Sequence, residues 1–145
     1  MSVNLLRMAV GIESTGHLRR RQSERLEAYR REHGEAVLRT FTRNVPRRAG
    51  ELIDGGSIYW VIKRFIRVRQ RILGVDEFRN DEGKRRCFIT LDPELTPVEM
   101  RAQKPFQGWR YLRPEDSPPD VRISREQSGE LPPEMAADLR ELGLI

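Results

Sequence analysis

The apolar positions of the chain change period several times, and each change predicts an element. Leu6, Met8 and Val10 alternate with Arg7 and Ala9, which predicts a strand over residues 3–12. Gly11 ends it, and Ser14, Thr15 and Gly16 offer a helix N-cap. From His17 to His33 the spacing turns helical. Leu18, Gln22, Leu26 and Tyr29 form a narrow stripe among arginines and glutamates, and Gly34 supplies the stop. So narrow a stripe predicts a helix laid over a sheet. Residues 37–42 read as a short strand. Pro46 opens a helix over residues 46–54 with Ala49, Leu52 and Ile53 inward, and Gly55-Gly56 closes it. Residues 57–78 predict one long strand and residues 80–83 a turn. Residues 84–91 predict its hairpin partner, with Cys87, Ile89 and Leu91 on one face and Phe88 on the other. Asp92-Pro93 and Thr96-Pro97 mark bends, and residues 106–112 predict a closing strand. Pro114, Pro118 and Pro119 begin an irregular arm. Pro132-Pro133 starts a last helix that ends near Gly143, with Met135, Leu139 and Leu142 inward.

This order predicts an α+β fold. The strands follow one another through hairpins and short helices, so the sheet is expected to be small, mostly antiparallel and partly closed into a barrel. Residues 1–121 are expected to form a single α+β domain, and residues 122–145 an acidic C-terminal arm and helix packed on it. The 145 residues suffice for one core. The net charge of +5 hides an asymmetry: residues 115–145 carry eight acids against three arginines, so residues 1–114 hold +10. The acidic tail is therefore expected to lie across the basic body, its last helix docked by Met135, Leu139 and Leu142, with Glu134, Asp138 and Glu141 competing with phosphate. Cys87 is the only cysteine, which fits a reducing cytoplasm. The first residues do not read as a signal peptide, and no apolar run predicts a membrane span.

The richest stretch is residues 57–71. Ile58, Trp60 and Ile62 alternate with Tyr59 and Val61, as in a strand buried on both faces. Beyond Phe65, Ile66, Val68 and Ile72 alternate with Arg67, Arg69 and Arg71, and no acid interrupts the run from Lys63 to Arg71. Three guanidinium groups on one exposed face, roughly 6.5–7 Å apart, match an extended phosphodiester backbone. The competing reading is a charged edge strand, or one paired with acids elsewhere.

Several blocks carry a family resemblance: Gly-Gly-Ser-Ile-Tyr-Trp-Val-Ile-Lys (55–63), Arg-Gln-Arg-Ile-Leu (69–73), Arg-Cys (86–87), Leu-Asp-Pro-Glu-Leu (91–95) and Phe-Gln-Gly-Trp-Arg-Tyr-Leu (106–112). With Ala9-Val10-Gly11 and Thr42-Arg43…Pro46…Arg48, they resemble an alphaproteobacterial family of unknown function, DUF1489, from about residue 4 to 121. The resemblance implies a bacterial cytoplasmic protein and gives no activity. In layout alone the chain is also similar to the PUA-like barrels, including ASCH and EVE domains. That likeness implies a cleft that takes RNA or modified bases; it is an analogy of fold, which does not fix function.

Catalytic signatures are missing. His17 and His33 sit at opposite ends of one predicted helix, too far apart to share a metal, and Cys87 falls on a core face. No GxSxG, P-loop, HExxH, CxxC or GxGxxG pattern occurs. Gly55-Gly56-Ser57 follows a helix, whose C-terminus repels anions. No catalytic residue, metal or cofactor is assigned. The expected function is binding of nucleic acid, RNA before DNA, or another polyanion, through Arg43, Lys63, Arg67, Arg69, Arg71, Trp109 and Arg110. In this reading the aromatic rings stack on bases and the guanidinium groups hold phosphates. The alternative is an enzyme acting on a small phosphorylated or nucleotide-like substrate in the same cleft, with Asp54 or Glu77 as acid or base. A blander third reading is a protein-interaction domain whose basic surface meets an acidic partner. Pattern alone leaves the oligomeric state open.

Overall fold

The computed structural model describes residues 2–121 and 133–143. Its elements are β1 (Asn4–Met8), α1 (Thr15–His33), β2 (Leu38–Thr42), α2 (Ala49–Ile53), β3 (Ser57–Ile62), β4 (Phe65–Arg79), β5 (Arg85–Leu91), β6 (Thr96–Ala102), β7 (Trp109–Leu112), a 3-10 turn (Pro114–Asp116) and α3 (Pro133–Glu141). Local chemistry sets the ends of α1. The Ser14 hydroxyl accepts from the His17 N–H at 3.1 Å, and Gly34, left-handed at φ 82°, donates its N–H to the Arg30 carbonyl at 2.8 Å. The first turn of α1 carries no acid of its own. Glu141 of α3 supplies one from across the molecule, accepting from the Gly16 N–H at 2.8 Å, where the helix dipole favours a carboxylate.

The long strand expected over residues 57–78 is two strands. β3 and β4 meet at Lys63 and Arg64, both with positive φ (51° and 69°). Two such residues form the hairpin turn whose twist matches the flanking strands. The usual Asn-Gly signal is absent, so the turn was invisible in the pattern. A second departure follows at once. Trp60 pairs with Val68 but Val61 pairs with Ile66, so β4 carries one extra residue there. The bulge breaks the period of two that carried the three-arginine ladder.

The seven strands form one mostly antiparallel sheet in the order β2-β5-β4-β3-β1-β7, with β6 on β4 beside this path; only β1 and β3 run parallel. β6, expected only as a bend, pairs with the first half of β4, and Pro97 lies within it. The sheet curls around a core of Leu5, Leu18, Leu38, Leu52, Ile58, Trp60, Ile62, Val68, Ile72, Cys87, Ile89 and Leu91, on which α1 and α2 pack. A smaller cluster of Leu6, Tyr59, Val61, Ile66 and Val98 lies on the other face. Within the main core, Gln22 and Gln70 exchange two amide hydrogen bonds of 2.8 Å, and Gln70 Oε1 also accepts from the Trp60 indole at 2.8 Å.

The partly closed barrel is corrected in one respect: the sheet does not close. β2 and β7, the ends of the strand order, share no ladder. Side chains span the gap instead. Arg7 donates to Thr40 Oγ1 at 2.8 Å and to the Phe41 carbonyl at 2.7 Å. The Trp109 indole donates to the Asn44 carbonyl at 3.1 Å, and the Tyr111 hydroxyl accepts from the Arg48 N–H at 3.0 Å. Strands of five and four residues are too short to knit this gap once these larger groups stand in it.

Candidate functional site

Two hollows lie along the open seam. One hollow of about 380 Å³ lies between α1, the end of β1, β2 and residues 106–108. Its apolar walls come from Met8, Ile12, Leu18, Leu38, Trp60 and Leu91, and its charge from Arg7, Arg21, Arg25 and Arg39. No carboxylate is among the described residues that line it. Arg7 is half-buried, its guanidinium 5.9 Å from the Trp60 ring centre. Burial, with the like charge of Arg25, pulls its pKa below the usual arginine value. Arg39 is held by two rings, 3.9 Å from Phe88 and 4.9 Å from Tyr29. Arg21 bonds His17 Nε2 at 3.3 Å and lies 3.8 Å from Glu24, both on the exposed side of α1.

A second, more open hollow of about 550 Å³ lies where β2 ends and β7 begins. Arg43, Arg47, Arg85 and Arg86 line it beside Trp109 and Tyr111, whose rings meet edge to face at 5.0 Å. Again no acid is among the described lining residues. Arg85 is engaged by Glu77, whose carboxyl it holds below the ordinary range, while Arg43 and Arg47 have no carboxylate partner among the described residues. The first hollow touches β2 at residues 38–40 and the second touches the chain at residues 43–45. At about 3.3 Å per residue, this places them on the order of 15 Å apart, a distance of two or three nucleotides.

Of the residues expected to bind, the structure brings Arg43 and Trp109 together at this seam and scatters the rest. The expectation that Arg67, Arg69 and Arg71 share one exposed face is overturned. The bulge puts Arg67 beside Phe65, its guanidinium 5.5 Å from that ring, and against α3, where it bonds Asp138 Oδ2 at 3.0 Å and the Ile62 carbonyl at 2.7 Å. Arg69 lies on the opposite face with Tyr59, its register partner. It forks onto Asp120 with two bonds of 2.7 Å and also reaches Ser57 Oγ. Arg71 is exposed near it. Ile66, expected to face the core with Val68 and Ile72, sits in the smaller cluster instead. Lys63 is in the hairpin turn, 2.6 Å from Glu13. Arg110 points away from Trp109, its neighbour in the strand, and lies 4.5 Å from the Phe106 ring.

The acids proposed for the alternative enzyme do not converge on either hollow. Glu77 is taken by Arg85, and Asp54 is an exposed helix C-cap. Asp120 does line a polar recess with Tyr59, Arg69 and Arg71, but both its oxygens are bonded to Arg69. Among the described residues no group of three His, Cys, Asp or Glu side chains could hold a metal. No described helix is long and apolar enough to cross a membrane. The acidic arm over residues 122–132 lies outside the described residues; of the tail, Asp120, Asp138 and Glu141 are seen bonded to the body. Sequence reasoning missed Arg7, Arg25, Arg39, Arg47, Arg85 and Arg86. No local pattern singles them out, and only the curl of the sheet gathers them.

A family model matches residues 5–145, described as protein of unknown function (DUF1489), and the chain belongs to that family. No curated protein and no solved structure matches the chain.

Proposed function

We propose that the protein binds nucleic acid, RNA in particular, along the seam between β2 and β7. The observation that carries this reading is the pair of arginine-lined hollows, with no carboxylate among their described lining residues and an aromatic side chain beside each. Arginines gathered this way repel one another, and a polyanion relieves the repulsion. Trp109 and Tyr111 offer rings for stacking, a means of holding single strands that tolerates any base. No helix is patterned to read a duplex major groove, which favours single-stranded RNA over duplex DNA. The PUA-like likeness enters as analogy alone: it shares the idea of a cleft beside a late aromatic strand, set here in an unclosed sheet.

Fluorescence anisotropy with a mixed-sequence single-stranded RNA tests the proposal. Arg43→Ala with Arg47→Ala should weaken binding at low salt and flatten the slope of log K against log salt by about 0.7 for each phosphate no longer neutralised. Arg69→Ala, which removes an arginine already paired with Asp120, should leave that slope unchanged. Absence of binding at low salt, or equal loss in the Arg69 variant, would refute the seam as the interface.

A further inference from the structure

We propose that the hollow between α1 and the sheet is a nucleotide-end pocket, taking one base together with a terminal phosphate monoester. The inference rests on the nucleic-acid reading for where the nucleotide comes from, but its warrant is the pocket's own construction. Five segments wall it: the end of β1 through Ile12, α1, β2, the Trp60–Leu91 floor and residues 106–108. It is the more enclosed of the two hollows at the seam, and so the better suited to a strand's end. At about 380 Å³ the hollow is near the lower limit for ligand sites, roughly 300–1,000 Å³, and suits a single nucleotide.

The two halves of a nucleotide answer its two kinds of wall. Met8, Ile12, Leu18, Leu38 and Leu91 offer apolar surface to a base, which an inorganic anion would leave unfilled. Arg7, Arg21, Arg25 and Arg39 offer charge to a phosphate. An internal diester carries one negative charge; a terminal monoester approaches two near neutral pH and has three oxygens to accept bonds. Arg21 lies 3.8 Å from Glu24, but Arg7, Arg25 and Arg39 have no carboxylate partner among the described residues and suit the more highly charged group. They are also prepared for it. Arg7 uses two of the five donors of a guanidinium on Thr40 and Phe41, and Arg39 is seated between rings. The lowered pKa of Arg7 has the same origin, a cation half-buried beside Arg25 without a carboxylate.

A strand end and a free mononucleotide share this chemistry, and titration calorimetry on the full chain separates them. The probes are a ten-nucleotide RNA with a 5′-phosphate, the same RNA with a 5′-hydroxyl, and a mixture of the four nucleoside 5′-monophosphates. The 5′-phosphorylated RNA should bind about 10- to 100-fold tighter than the hydroxyl form, the span expected for one or two charge-assisted bonds. The monophosphates should compete with it. Arg7→Gln should erase the preference. Because Arg7 also ties β1 to β2, Arg25→Gln, an exposed change on α1, is the companion variant and should reduce the preference without unfolding the chain. Equal affinity for both RNAs, or a preference unchanged in Arg25→Gln, overturns the end pocket while leaving seam binding intact. Binding of the monophosphates with neither RNA bound supports the pocket and overturns the RNA reading. Binding of none overturns both.

Discussion

Replacing Gln70 with Leu should destabilise the protein by about 2–4 kcal/mol, the sum of a few unmet hydrogen bonds less the gain from an apolar side chain. Gln70 is fully buried. It exchanges two 2.8 Å bonds with Gln22, accepts from the Trp60 indole at 2.8 Å and donates to the Asp92 carbonyl at 3.2 Å. Leucine removes all four and strands the indole N–H and the Asp92 carbonyl, at about 1–3 kcal/mol for each unmet buried group. Gln22 faces the hollow and regains part of its solvation there. For a chain of this length the loss is about 5–15 °C in Tm. Urea unfolding followed by far-UV circular dichroism is the assay, since Trp60 fluorescence would change with its own hydrogen bond. Gln22→Leu alone should cost less, because Gln70 keeps Trp60 and Asp92. The double variant should cost less than the two singles together, by about 1 kcal/mol, since they share a pair of bonds. A Gln70→Leu protein within 0.5 kcal/mol of the parent, on the order of a surface change, would refute the network, and so would strict additivity.

Gly56→Ala should cost about 3 kcal/mol or more, because its Cβ would stand 2.5 Å from the Leu52 carbonyl oxygen and closer still to that of Val3. Gly55→Ala meets open space and only the penalty of φ +87°, about 1–2 kcal/mol; thermal melts should rank them so. Burial raises the pKa of Asp138 against the opposing pull of Arg67, so the folded state holds its proton more tightly than the unfolded state. That contribution to stability is present below the ordinary aspartate value near ~3.9 and is lost as pH rises through the raised one. The stability difference between parent and Asp138→Asn, followed by urea unfolding across acidic pH, should change in that direction, and a flat difference would contradict it. Cys87 is buried and its thiol is pushed up by desolvation; a thiol reagent should label it at the rate of unfolding, and fast labelling of native protein would place it elsewhere.

Much of the architecture was legible because it follows from local chemistry. The caps of α1, the face of β5 with Cys87, Ile89 and Leu91, and the buried Leu139 of α3 each follow from spacing and end signals. The errors fall where tertiary geometry overrides local preference. Lys63-Arg64 turns without glycine because two strands on either side hold it. Pro97 lies in a strand because the far side of β6 meets only a single bridge, Val98 with Asp120, and Pro97 joins it through its carbonyl, which accepts from the Val121 N–H at 3.0 Å. The bulge near Arg67 leaves no trace in composition, yet it moves one arginine to the other face. The seam was half legible: Arg43 at a strand end and Trp109 after a glycine stood out, whereas the arginines opposite them belong to elements whose proximity depends on curl.

The pairing of the arginines decides where an anion can act. A row of cations on a strand attracts a phosphate chain only if the protein has not already answered it. Arg67 is covered and bonded to Asp138, and Arg69 is forked onto Asp120, so acids of the C-terminal tail already answer the strand that looked most basic. These bonds do not describe a removable mask. Leu139 is buried, the Asp138 side chain is only 13% exposed, and Glu141 caps the first turn of α1. Stripping α3 would open packed surface and leave α1 without its carboxylate. Around the seam, Arg7, Arg25, Arg39, Arg43 and Arg47 meet no carboxylate among the described residues. With Asp120 and Asp138 tied to β4 and Glu141 to α1, the arginines left without a described carboxylate are those where the sheet fails to close, beside Trp60, Trp109 and Tyr111.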